Sequence, residues 1–118
     1  MRAVIYHNPR CGKSRETLSL LEQHGISPDI VEYLKTPPSI EELKTILKKL
    51  KMKPRELMRT KEAVYKEKKL DNPKLSDDAL IKAMHNDPIL IERPIVIYGA
   101  RARIGRPPEE VLDLFPTV

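Results

Sequence analysis

Residues Arg2 to Tyr6 alternate in character with β-branched Val4 and Ile5 in the middle, which predicts a strand running into the polar loop His7-Asn8-Pro9-Arg10. The pattern then changes period. From Gly12 to His24, Leu18 and Leu21, with Thr17 beside them, recur at helical spacing, and Gly25 is suited to the C′ position that ends a helix. Ile30, Val31 and Tyr33 lie between Pro28 and the Thr36-Pro37-Pro38 stop and predict a second strand over Asp29 to Leu34. Ser39 and Glu42 have capping-box spacing, and Ile40, Leu43, Ile46, Leu47 and Leu50 follow as one helical face. Pro54 suits the first position of a short helix through Met58, Thr60 can cap another, and Ser76 with Asp77 and Asp78 opens one that closes at Asn86 and Pro88. The hydrophobic run Ile95 to Tyr98, the turn Gly99-Ala100 and the segment Arg101 to Ile104 form an expected hairpin, after which Pro107 starts a last helix ending before Pro116.

The resulting order is strand, helix, strand, several helices, strand, strand, helix, an α/β arrangement. Without residues 39 to 87 it is the thioredoxin or glutaredoxin order. The helical stretch 39–87 reads as an insertion, because neither flank could pack a sheet alone. The expectation is one domain over residues 1–118, with a thioredoxin/glutaredoxin-like core, a mixed four-stranded sheet and an inserted helical subdomain.

A chain of 118 residues fits a single domain of about 100 to 150 residues. With 40% hydrophobic and 33% charged residues it has the composition of a folded globular protein rather than a disordered one. No apolar run reaches the roughly 20 residues of a bilayer span and no leader is apparent, so the cytoplasm is the expected compartment and no membrane is expected as a partner. Twenty-two basic against seventeen acidic residues give a formal charge of +5, which favours anionic partners. The basic stretch from Lys44 to Lys69 raises nucleic acid as a partner, but helical lysines commonly form a solvated face, and recognised nucleic-acid motifs and stacking aromatics are missing. Oligomeric state is not legible in the chain.

The one cysteine, Cys11, cannot form an internal disulfide or a multi-thiolate metal site, so a redox cycle must borrow a thiol from outside. At a helix start it meets free N–H groups and the positive end of the helix dipole, and His7, Arg10, Lys13 and Arg15 supply nearby cations. Both favour the thiolate. The alternative is a buried, inert cysteine, which its polar and basic neighbours argue against. Arg93-Pro94, just before a buried strand, is the second cue: on the thioredoxin analogy the proline is cis beside the nucleophile loop, and Arg93 would face Cys11.

The runs Tyr6 to Arg15, Tyr33 to Pro38, Pro88 to Val96 and Arg103 to Pro107 resemble the ArsC family of glutaredoxin-linked arsenate reductases, in the right order over nearly the whole chain. The resemblance implies that Cys11 is the nucleophile, that Arg59, Arg93 and Arg106 bind the oxyanion, and that His7, Gly12 and Ser14 support the site. It implies arsenate or a related oxyanion as substrate, glutathione as co-substrate and glutaredoxin as partner, with no metal and no bound cofactor. Rigid arginine forks suit a tetrahedral oxyanion better than flexible lysines do. Lys13 departs from the family pattern, where a threonine is usual. Two alternatives share the fold: a thiol oxidoreductase for another substrate, and an Spx-like redox regulator that binds RNA polymerase. The latter senses oxidation through a Cys-X-X-Cys pair, and here Ser14 takes the second place. His24, His85 and the tyrosines Tyr6, Tyr33 and Tyr98 read as structural residues.

Overall fold

The computed structural model describes residues 2–116. Strand β1 (Ala3–His7) leads into helix α1 (Gly12–Gln23), and β2 (Asp29–Glu32) follows. Strands β3 (Ile95–Tyr98) and β4 (Arg101–Ile104) form the hairpin turned by Gly99, whose φ is 62°. The sheet order is β2-β1-β3-β4, with β1 and β2 parallel and the other two pairs antiparallel, so the sheet is mixed and four-stranded. With α1 between its parallel strands, this is the α/β, thioredoxin-like arrangement.

The chain divides into two compact units. One contains the residues up to Thr36 and those from Arg93 onward, and the other is Pro37–Glu92. In the first, Ile5 and Val96 from the sheet, Leu21 from α1, and Val111 and Leu114 from the closing 3-10 segment Pro108–Leu114 make a buried cluster. Tyr98 and Phe115 pack on it with ring centroids 4.8 Å apart. This side-chain layer fixes α1 against the sheet and so fixes the loop between β1 and α1.

The second unit holds α2 (Ile40–Leu50), α3 (Pro54–Leu57), α4 (Ala63–Glu67) and α5 (Asp77–Asn86), followed by a 3-10 turn at Pro88–Leu90. The Ser39–Glu42 capping box forms as its spacing predicts, and Ser76 accepts from the Ala79 amide at the start of α5. Leu43, Ile46, Leu47, Leu80, Ile81 and Met84 are buried on the facing stripes of α2 and α5. His85 bonds the Pro38 carbonyl at 2.9 Å, a structural use of the ring.

Several boundaries differ from the expectations. The inserted unit runs from Pro37 to Glu92 rather than 39–87, because the 3-10 turn and the bridge between Met58 and Ile91 belong to it. Thr60 caps nothing helical; α4 starts after Glu62, and Lys68 to Ser76 is turn and loop rather than helix. The last helix is 3-10, and β2 ends at Glu32, where the chain turns with the Lys35 and Thr36 amides donating to the Glu32 carbonyl. Met1, Thr117 and Val118 of the expected 1–118 domain lie outside the described residues.

Candidate active site

The loop after β1 is built by a hydroxyl. Ser14 is fully buried in the first turn of α1; its Oγ accepts from the Asn8 amide at 3.0 Å and lies 2.6 Å from His7 Nδ1. Asn8 in turn accepts from the Arg10 amide through Oδ1, and its carbonyl accepts from the Cys11 amide, both at 3.0 Å. These bonds fold residues 7 to 11 into a compact turn that delivers Cys11 to the N-cap of α1, with φ −94° and ψ 123°.

Cys11 is half-buried. Its side chain closes no cap hydrogen bond of the geometry a serine makes, but looser contacts of the large sulfur with backbone amides act on it. Burial alone pushes the thiol up. The Ser14 amide, the Arg93 guanidinium through a hydrogen bond and through its charge, and the Lys13 amide together outweigh burial, so the thiol lies below its ordinary value. Arg106 Nη2 is 3.6 Å from Sγ, and Arg106 Nε donates to the Arg93 carbonyl at 2.8 Å. Arg93 is the less exposed of the two arginines, so its charge is less screened and acts on the sulfur more strongly.

The cations adjacent in sequence are placed elsewhere. Arg15 donates to the Pro9 carbonyl at 3.0 Å, and Lys13 pairs with Glu16 at 3.8 Å. His7 is held below its ordinary value, chiefly by burial; the Glu32 carboxylate partly restores it and Arg15 lowers it further. The ring is therefore largely neutral at pH 7, and its contact is with Ser14 rather than with the sulfur. Gly12 opens α1 on the surface, and a side-chain carbon there would meet nothing nearer than Arg15 Nη2 at 3.9 Å.

Arg59 belongs to the helical unit. Its Nη1 donates to Glu92 at 2.7 Å and its Nε to Glu62 at 3.2 Å, and the two carboxylates raise its already high pKa against burial. The Arg59 amide also donates to the Leu90 carbonyl at 2.7 Å, which fixes the backbone from which the fork projects.

Two further residues shape the first unit's site. The Gly105 amide donates to the Pro94 carbonyl at 2.9 Å, and a side-chain carbon on Gly105 would collide with Thr17 Oγ1 and lie 2.9 Å from Pro94 Cγ. Thr17 is fully buried and donates to the Lys13 carbonyl at 2.8 Å. Only a glycine lets the chain pass this close to α1, and Arg106 is the next residue. The peptides Arg93-Pro94 and Arg106-Pro107 are both cis. In the sequence, a glycine directly before an arginine was the available signal for Gly105; nothing local announced that Thr17 would be its neighbour.

The assembled chemistry is a thiol biased toward thiolate at a helix start, with the Arg93 guanidinium in hydrogen-bond contact and the Arg106 guanidinium 3.6 Å away, a setting that fits a nucleophile acting on an anion.

Comparison with known proteins gives a consistent picture. Residues 6–114 match the model of the ArsC family. The chain is 54% identical over 115 residues to an arsenate reductase of Haemophilus influenzae, covering 97% of this chain and 99% of that one. It is 44% identical over 113 residues to an arsenate reductase of Escherichia coli, covering 96% of this chain and 80% of that one. The solved structure of an arsenate reductase from Vibrio cholerae superposes with a TM-score of 0.96 at 55% identity, covering 98% of both chains.

Proposed function

This chain belongs to the ArsC family, and on that premise we propose that it is an oxidoreductase that converts arsenate to arsenite, with the Cys11 thiolate as nucleophile. The observation that carries this reading is the lowered Cys11 thiol in hydrogen-bond contact with Arg93 and 3.6 Å from Arg106. In the first step the sulfur attacks arsenic and one arsenate oxygen leaves as water, giving a Cys11–S–As(V) ester. Arg93 and Arg106 neutralise the remaining oxygens, and Arg59 is assigned to them by family resemblance.

A glutathione thiol then adds to the adduct. Two electrons pass from the two sulfurs to arsenic, the Cys11–S–As bond breaks, and As(OH)3 departs while Cys11 and glutathione form a mixed disulfide. The thiol proton ends on the departing arsenite. Because Cys11 is the chain's one cysteine, the disulfide must be opened from outside, the task assigned to glutaredoxin. A cycle that depends on a reduced thiol pool suits the cytoplasm. Ser14 supports the thiolate through its amide and holds the loop through its hydroxyl, with neutral His7 keeping that hydroxyl oriented.

The test is arsenite formation by the purified protein supplied with arsenate, glutathione and glutaredoxin. The wild-type chain is expected to produce arsenite and Cys11→Ser to produce none. Turnover persisting in Cys11→Ser would remove the nucleophile from the proposal.

A further inference from the structure

Strands β1 and β2 run parallel and finish side by side, with His7 in register with Glu32. Ligands of parallel sheets commonly sit beyond the carboxyl ends of the strands, where the chain leaves the sheet in loops. Here that position is a cavity of about 240 Å³, walled by His7 at the end of β1, by Asn8, Pro9 and Arg10 after it, and by Glu32, Leu34 and Lys35 around the end of β2. The next residue after Arg10 is Cys11. In the proposed reaction His7 orients the Ser14 hydroxyl and Asn8 shapes the loop, while Arg10, Glu32, Leu34 and Lys35 take no part.

We propose that this cavity is the seat of the thiol co-substrate, one end of a zwitterionic tripeptide thiol of the glutathione type. The inference rests on the reading that the arsenic adduct on Cys11 passes to such a thiol.

Three observations select this ligand class. First, the wall carries two cations, Arg10 and Lys35, and one carboxylate, Glu32, which pairs with Lys35 at 3.5 Å. Glutathione carries the complementary set, two carboxylates and one ammonium. A bare inorganic oxyanion would meet Glu32 as a like charge, whereas a zwitterion can answer both signs. Second, Pro9 and Leu34 give the cavity an apolar side, and Leu34 is 40% exposed despite being a large hydrophobic residue. The methylenes of a γ-glutamyl or cysteinyl residue would cover it, while a small inorganic anion would leave it wet. Third, the size is right for part of a tripeptide. A drug-sized ligand needs roughly 300 to 1,000 Å³, so this cavity holds one end and leaves the rest outside. An extended tripeptide reaches about 10 Å, and Arg10 is one Cα step of about 3.8 Å from Cys11, so an end anchored here leaves the thiol within reach of the sulfur.

The experiment separates binding from turnover. S-methylglutathione, which cannot react, is titrated into the Cys11→Ser protein by calorimetry, and the same titration is run with Lys35→Glu and Arg10→Glu added. Each reversal is expected to raise the Kd at least about tenfold, the scale of losing one charge-assisted contact. Lys66→Glu, an exposed change in α4, is the control and is expected to leave the Kd unchanged. In the active chain, Lys35→Glu is expected to raise KM for glutathione by a similar factor while leaving KM for arsenate unaltered. An unchanged Kd in both pocket variants, or an equal loss in Lys66→Glu, would overturn the assignment. Absence of arsenite formation by the wild-type chain would instead strike the proposed function, and the S-methylglutathione titration would still report on the cavity.

Discussion

At Cys11 two opposing effects meet. Burial favours the neutral thiol, while the Ser14 and Lys13 amides and the Arg93 guanidinium favour the anion and prevail. Iodoacetamide alkylation followed against pH should therefore show a lower midpoint in the folded chain than in the urea-unfolded one. Arg93→Ala should move that midpoint upward, and by more than Arg106→Ala, because the partly buried charge is the less screened. Identical midpoints in the wild type and Arg93→Ala would show that Arg93 does not hold the thiolate. The same shift has a sign for stability: a folded-state acid held below its unfolded value contributes stability above the unfolded pKa and loses it as pH falls through the folded one. His7 acts in the same direction. Its ring is a base kept neutral by burial, so the unfolded chain binds the proton more readily and stability falls as pH drops below the ordinary histidine value of about 6.5.

Among the elements, two close approaches position what the motifs only name. Gly105 passes α1 at Thr17 with no room for a methyl group, so Gly105→Ala must displace Thr17, Pro94 or the strand end that carries Arg106. The expected cost is about 1 to 3 kcal/mol in urea unfolding, the scale of core overpacking, together with an upward move of the Cys11 alkylation midpoint as Arg106 and Pro94 shift. In the helical unit, Arg55 does the work that helical periodicity does not. Its Nη1 donates to Tyr65 Oη at 2.8 Å and to the Leu70 carbonyl at 2.7 Å, and its Nη2 to the Asn72 carbonyl at 3.0 Å. One planar fork thus ties α3 to α4 and to the loop that follows. Arg55→Ala should cost on the order of 1.5 to 3 kcal/mol, the range for hydrogen bonds to a charged group. Amide hydrogen exchange should show the loss first between Ala63 and Leu75, and exchange unchanged there would mean the loop is held by other contacts. Arg55 stands in a run of lysines that resembles a plain basic surface, so its structural task was invisible without the fold.

For the molecule as a whole, the formal charge of +5 gives a long-range attraction for a dianionic oxyanion that salt screens. Raising ionic strength should lower kcat/KM for arsenate while leaving kcat nearly constant, and a kcat/KM flat across salt would show that only local groups matter. No helix among the described residues is long and apolar enough to cross a membrane.

The order and type of the elements were legible in the chain because periodicity, capping residues and turn residues act over a few positions. The Ser39–Glu42 box, the Ser76 cap and the Gly99 turn are each complete within four residues. Where those local signals are weak, as at Thr60 and from Lys68 to Ser76, the expectation of helix failed and packing around Arg55 set the path. The same division holds at the sulfur. That Cys11 begins a helix followed from local pattern, but which charges act on it did not. Sequence neighbours Lys13 and Arg15 are turned to Glu16 and Pro9, while Arg93 and Arg106, more than eighty residues away, reach it because β3 pairs with β1 and Gly105 slides past Thr17. Local interactions determine what each segment becomes; the convergence of charge on a thiol depends on non-local pairing and side-chain packing, which only the assembled sheet supplies.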